Sequence, residues 1–202
     1  MTVQRSVLDA ALDIIATTGP EAVSMRDVAR RAGVSHQAPY HHFTDRPGIF
    51  AAIATEGFTT LAAAFQSVLA SDSHPSTRCF EAYVRMAREH PGHFRVMFRA
   101  DLSGILTHPS TAAAADEAFN ELLRMVERTI GRPSTERESF TWASLMWSTA
   151  HGFATLLIDG PLLCRLPEGV TVEQHITEVV ELMSEMVERQ ATAMGLSPSL
   201  GR

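Results

Sequence analysis

Residues 24–46, which read SMRDVARRAGVSHQAPYHHFTDR, carry the pattern that most constrains the fold of this chain. Ser24 is a favourable helix N-cap, and Asp27 three residues later resembles a capping box. Apolar residues then recur at helical spacing until Gly33, which ends the helix as a C′ glycine does. Ser35 leads into a second short helix. The segment therefore predicts a helix-turn-helix, and the alternative is an ordinary pair of packed helices.

Pro39 lies inside the second helix of this pattern. Proline has no N–H to donate and is tolerated only in the first turn of a helix. We therefore expect regular helix to begin nearer Ala38 than Ser35. In a helix-turn-helix, the N-terminal residues of this second helix enter the major groove of DNA.

The rest of the 202-residue chain reads as helices separated by glycine and proline, with no alternating strand pattern. The predicted fold class is all-α with about nine helices. A three-helix domain would span residues 1–46 and a larger helical domain residues 47–202. Beyond the helix-turn-helix, the predicted helices run near residues 3–17, 46–70, 76–89, 93–102, 109–131, 133–159 and 171–194.

Charge is distributed unevenly along the chain, whose formal net charge is −6. Residues 1–46 hold five arginines and five acids and are neutral, whereas the remainder holds 12 arginines and 18 acids. A neutral N-terminal domain with arginines on one face can bind phosphates while the acidic body stays away from DNA. We find no apolar run of the length that a membrane span needs and no signal peptide, and so expect a cytoplasmic protein without membrane contact.

Residues 3–50 resemble the DNA-binding domain of the TetR family of bacterial transcriptional regulators. The resemblance rests on VLDAALDIIATTG, AVSMRDVARRAGVS, and APYHHF followed by DRPGIF. It implies a regulator, most simply a repressor, that places two recognition helices on a near-palindromic double-stranded operator.

Side chains at the entry of the recognition helix are placed to reach base edges. Gln37 suits adenine, and Ala38 suits the methyl group of thymine. The resemblance places Tyr40 and His41 near phosphates, and Arg46 where the family usually has a lysine. The DNA-binding residues that we expect are Ser24, Arg26, Ser35, His36, Gln37, Ala38, Tyr40, His41 and Arg46.

The body, over residues 78–185, resembles the ligand-binding domain of TetR-like regulators named WHG after a Trp, a His and a Gly. Here these residues are Trp147, His151 and Gly152, within WSTAHGFATLLIDG. The resemblance implies a homodimer with an effector cavity in each subunit. His151 lies one helical turn from Trp147 and would line either that cavity or the dimer seam.

We expect a small apolar or aromatic effector, because methionine-rich walls adapt to varied ligands. The alternative for each candidate is plain core packing. The predicted ligand-binding residues are Met97, Phe98, Leu102, Phe119, Leu122, Met125, Trp147 and His151. The last helix carries an amphipathic stripe, which is either core alone or, as the resemblance implies for the last two helices, part of the dimer interface. The interface candidates, together with the mid-helix glycine, are Gly152, Ile176, Val180, Met183 and Val187.

The nine histidines and two cysteines show no spacing suited to zinc, and the chain has no phosphate-binding glycine loop, no nucleophile elbow and no convincing carboxylate pair. We therefore expect no metal, no cofactor and no catalytic residues. The alternative function is a helical small-molecule-binding or catalytic protein that does not bind DNA.

Overall fold

The computed structural model describes residues 2–71, 75–130 and 135–193, and every regular element in these ranges is helical. There are ten α-helices, and the 3-10 turns Pro20–Ala22 and Leu163–Arg165 stand between them. The α-helices are α1 (Val3–Thr18), α2 (Met25–Ala32), α3 (Ala38–Phe43), α4 (Arg46–Ser71), α5 (Pro75–Glu89), α6 (Pro91–Met97), α7 (Ala100–Ser103), α8 (Pro109–Ile130), α9 (Glu136–Ile158) and α10 (Val172–Ala193).

The predicted all-α fold is confirmed, with one helix more than expected. The single short helix predicted over residues 93–102 is divided into α6 and α7, because the backbone of Arg99 is extended at φ −95° and ψ 102°. Elsewhere local signals set the helix ends. The hydroxyls of Thr2, Ser24 and Thr135 each accept a backbone N–H three residues later. The predicted boundaries at Gly131 and Pro133 lie outside the described residues.

The chain divides into two compact units. The first unit combines Met1–Thr60 with Glu89–Glu117, and the second combines Leu61–Arg88 with Ala118–Arg202. The functional boundary between residues 46 and 47 is a different division and stays a prediction.

In the first unit, α1 packs against α2, α3 and α6. Its core is aliphatic and aromatic, and its fully buried members include Val7, Ile15, Val28, Ile49, Phe50 and Ile53. The small helices around α1 thus share one hydrophobic centre.

The core of the second unit comes from the C-terminal part of α4 and from α5, α8, α9 and α10, and among the described residues it contains one charged side chain. Glu121 is only 1% exposed. Its Oε1 accepts bonds from Gln66 at 2.9 Å and from Arg124 at 2.5 Å. These donors offset the cost of burying the carboxylate.

Within the described residues, α4 is the one helix long and apolar enough to cross a membrane. More than half of its most apolar window is buried inside the protein. We therefore describe α4 as a core helix.

Candidate nucleic-acid interface and effector domain

The helix-turn-helix forms as the sequence predicts. The hydroxyl of Ser24 accepts the N–H of Asp27 at 3.1 Å and donates to its carboxylate at 2.7 Å. That bond, followed by the one from Arg30, lowers the pKa of the Asp27 carboxyl. Gly33 ends α2 in the left-handed conformation at φ +68°. The recognition helix α3 begins at Ala38 with proline in its first turn, as expected.

The two faces of α3 differ in burial. Pro39 and Phe43 point into the core, whereas Tyr40 is 50% exposed and His41 is also exposed. The preceding residues Ser35, His36 and Gln37 are exposed, and Ala38 is half-buried. The row predicted to face DNA is therefore open to solvent.

A strained turn fixes the end of α3. Thr44 has φ +64° and ψ −52°, a conformation that a β-branched residue rarely adopts. Asp45 then accepts the N–H of Gly48 at 2.8 Å and caps α4. A Cβ on Gly48 would lie 2.0 Å from the carbonyl oxygen of Phe43, so only glycine fits there.

The other predicted DNA contacts differ in their surroundings. Arg26 is exposed, and Ser24 is half-buried because it caps α2. Arg46 is half-buried, and its Nη2 donates to the carbonyl of Pro20 at 3.0 Å. Its guanidinium carbon lies 4.7 Å from the ring centroid of Phe50, and its buried Nε has no hydrogen-bond partner. The structure thus gives Arg46 an intramolecular role that the sequence did not indicate.

Three of the predicted ligand-binding residues belong to the first unit. Met97 is buried against Gly57, where a Cβ would lie 2.4 Å from its Sδ. The ring of Phe98 lies edge-on to Phe58 and Phe94, each with centroids 5.5 Å apart. Leu102 is half-buried.

The other five belong to the second unit. Leu122 and Met125 are buried in the core. The ring of Phe119 lies 6.3 Å from that of Trp147, which is partly exposed, and His151 is half-buried. The eight predicted residues are thus divided between the two units, and the pocket stays a prediction.

Tyr83 is a partner of the Trp-His-Gly motif that sequence reasoning missed. Its hydroxyl lies 2.8 Å from Nδ1 of His151 and is also hydrogen-bonded to Trp147. An indole N–H can only donate, so the tyrosine hydrogen is left for His151. The one available signal was the position of Tyr83 inside AYVRM, within the segment that resembles the WHG domain.

Burial dominates the electrostatics of this group. It raises the pKa of Tyr83, and the bond from Trp147 opposes this shift only in part. Burial also lowers the pKa of His151. A neutral imidazole with its hydrogen on Nε2 therefore accepts from the tyrosine, a tautomer that we infer from the hydrogen-bond pattern.

Two residues predicted at the dimer interface are committed to the core of their own chain. Val180 is 2% exposed and Val187 is 9% exposed, so neither leaves much surface for a partner. Ile176 and Met183 are half-buried. Gly152 is exposed, and beyond its chain neighbours and the backbone of its own helix no atom lies within 4 Å of a Cβ placed on it.

Four of the exposed apolar side chains lie in rows along α9 and α10. Leu145 and Leu156 are exposed on α9 and share a face with Gly152, because their spacing is seven and four residues. On α10, Leu182 and Met186 lie one turn apart, at 60% and 57% exposure. These four side chains define the exposed apolar rows of α9 and α10.

Comparison with known proteins identifies both halves of the chain. Residues 7–53 match the family of bacterial regulatory proteins of the tetR type. Residues 76–187 match the tetracyclin repressor-like C-terminal domain, of the WHG type. No protein of curated function matches the chain.

Solved structures share the fold over nearly the whole chain. A protein of unknown function from Rhodococcus sp. RHA1 is 27% identical with a TM-score of 0.73, over 94% of this chain and 95% of that one. A transcriptional regulator from the same organism is 25% identical with a TM-score of 0.68, over 94% and 97%. The ketosteroid transcriptional regulator KstR2 of Mycobacterium tuberculosis is 15% identical with a TM-score of 0.63, over 92% and 93%.

The confirmed helix-turn-helix, the larger helical body and the two family matches agree. This chain belongs to the TetR family of bacterial transcriptional regulators and carries a WHG-type C-terminal domain.

Proposed function

We propose that this regulator is a homodimeric repressor that leaves a near-palindromic operator when a small apolar or aromatic effector binds. The observation that carries the DNA-binding part is the two-sided character of α3. Its inner face, Pro39 and Phe43, is held in the core, while the residues from Ser35 to His41 include the exposed polar row. Because the inner face of α3 is packed in the core, the exposed side chains keep one orientation toward the major groove.

Within this proposal, His36, Gln37 and Ala38 read bases, while Tyr40 and His41 contact phosphates. Ser24 and Arg26, at the start of α2, would contact the far side of the groove. An arginine has five N–H donors, so the bond from Arg46 to Pro20 leaves other donors for a phosphate. Residues 1–46 are assigned to DNA binding and residues 47–202 to effector binding and dimerisation.

The dimer seam in this proposal is the exposed apolar rows of α9 and α10, with Gly152 at the closest approach. Exposed leucine and methionine side chains that repeat along one face of a helix support an interface there. Dimerisation would place the two recognition helices about 34 Å apart, one turn of DNA.

The effector site in this proposal includes Phe119, Trp147 and His151. Aromatic rings beside a hydrogen-bonded histidine suit a ligand with an apolar body and few polar groups. We further propose a cytoplasmic location and no enzymatic activity, in keeping with a transcriptional regulator.

The test is selection of duplexes from a random DNA library by the purified protein, followed by gel retardation and sedimentation. We expect a dimer that retains a sequence with two-fold symmetry. Absence of DNA retardation would favour the alternative, a helical ligand-binding protein, and a monomer would contradict the proposed seam.

A further inference from the structure

The C-terminal end of α1 is capped by an arginine from a distant helix. The last turn of α1 contains no basic residue. Nη1 of Arg95, on α6, donates to the carbonyls of Ala16 at 3.1 Å and Ile15 at 3.4 Å. A helix end leaves carbonyls without intrahelical partners and carries partial negative charge, so a guanidinium there is favourable.

The residues that follow α1 are held in the same manner. We call residues 19–23, which join α1 to α2, the connector. Arg46 donates to the carbonyl of Pro20, and Nη1 of Arg99 lies 2.6 Å from the carboxylate of Glu21. The bond from Arg99 is the main cause that lowers the pKa of Glu21. Guanidinium groups thus contact the end of α1 and two residues of the connector.

Close packing reinforces these bonds. A Cβ on Gly92, in the first turn of α6, would lie 3.0 Å from Cδ2 of Leu12, so α6 rests directly on α1. Ser24, the N-cap of α2, follows the connector directly. The path of the connector therefore sets the direction of α2 relative to α1. It also sets the direction of α3, which follows α2 after the turn at Gly33.

We propose that Arg95 and Arg99 are positioning residues for operator recognition. Arg95 holds the end of α1 and Arg99 holds the connector, so that α2 and α3 meet the major groove in register. Neither side chain needs to touch DNA. Arg95 donates to backbone carbonyls. Arg99 forms ion pairs with Glu21 and with Asp101, and its Nη2 lies 2.8 Å from Oδ2 of Asp101. Loss of either would misalign the recognition helix without removing a phosphate contact.

The experiment compares Arg95→Gln, Arg99→Gln and wild type on two duplexes: one selected from the random library, and one scrambled to the same length and composition. For Arg95→Gln we expect about a tenfold weaker Kd on the selected duplex, the size of one charge-assisted bond, and an unchanged Kd on the scrambled duplex. Arg99→Gln should act in the same direction but less, because its ion pair is exposed. The salt slope should not change.

Arg88→Gln is the matched control, because it removes an arginine that pairs with Glu173 in the second unit. It should leave both dissociation constants unchanged, and Arg95→Lys should recover part of the loss because it keeps the charge at the end of α1. If Arg95→Gln weakens both duplexes equally, the residue only maintains the folded state and the proposal is wrong. If Arg95→Gln does not fold, the test rests on Arg99→Gln and on the ratio of its Kd on the scrambled duplex to its Kd on the selected duplex. A ratio equal to that of the wild type overturns this inference alone, whereas a wild type that retains no duplex overturns the proposed function as well.

Discussion

The hydroxyl of Tyr83 lies 2.8 Å from Nδ1 of His151, so a polar pair joins α5 to α9 inside the second unit. Tyr83 is almost fully buried, and its oxygen also accepts from Trp147. Two residues of the Trp-His-Gly motif thus share one tyrosine. This arrangement gives the motif a structural role whether or not an effector contacts it.

Removing this hydroxyl should destabilise the protein. Tyr83→Phe leaves the acceptor on His151 and the donor on Trp147 without their partner, which should lower the free energy of unfolding by about 1–3 kcal/mol. The other tyrosine provides the control, since Tyr40 is half exposed and Tyr40→Phe should change stability by less than about 0.5 kcal/mol. Urea denaturation measures both. Equal effects would show that the Tyr83 bond does not contribute.

Two half-buried histidines predict a dependence of the free energy of unfolding on pH. Burial lowers the pKa of His151 and of His93, a half-buried residue of α6, in the folded protein. The unfolded chain therefore binds more protons than the folded protein below the ordinary histidine pKa near 6.5. The free energy of unfolding should therefore fall as the pH drops from about 6.5 towards 5. His151→Gln should flatten part of this slope. An unchanged slope in His151→Gln would contradict the shift.

Helix positions in this chain could be predicted because their signals are local. Ser24, Gly33 and Pro39 fix the helix-turn-helix through bonds and steric limits within a few residues. The bonds from Arg46 to Pro20 and from Tyr83 to His151 could not, because they join residues 26 and 68 positions apart.

Which face of α10 packs into the core of its own protomer could also not be predicted from the sequence. The helix carries apolar residues over a broad arc, and periodicity alone does not say which edge another helix covers. Val180 lies on the covered edge and Leu182 on the open one.

This difference between two edges predicts opposite outcomes for two similar substitutions. Leu182→Glu places a charge on the open edge and should give folded monomers with reduced operator binding. Val180→Glu buries a charge without a partner and should lower the free energy of unfolding by several kcal/mol or abolish folding. Sedimentation and circular dichroism distinguish the two. Leu106→Glu, at a position 83% exposed in the first unit, should remain a folded dimer. A dimeric Leu182→Glu would move the seam elsewhere.

Two glycines should respond differently to alanine. Gly48→Ala forces a Cβ to within 2.0 Å of a backbone oxygen and should destabilise the turn that ends α3. Gly152→Ala has open space in the protomer and should add about 1 kcal/mol of helix stability to it. If Gly152 lies at the seam, the same change should weaken the dimer. Thermal unfolding at two protein concentrations separates these effects, and a more stable dimer would remove Gly152 from the interface.

The DNA contacts predict two kinds of loss. Gln37 is exposed at the start of α3, so Gln37→Ala should change which base is preferred at one position of the half-site, with a discrimination loss of about 1–3 kcal/mol. An unchanged base preference in Gln37→Ala would remove Gln37 from the base-reading residues.

Arg46→Ala should weaken binding to all duplexes and lower the salt slope by about one ion if the side chain holds a phosphate. Arg46 also supports Pro20, so a weaker Kd alone would not establish that contact. Titrations at several salt concentrations separate the roles: a lower affinity with an unchanged slope would assign Arg46 to holding the connector, as Arg99 does.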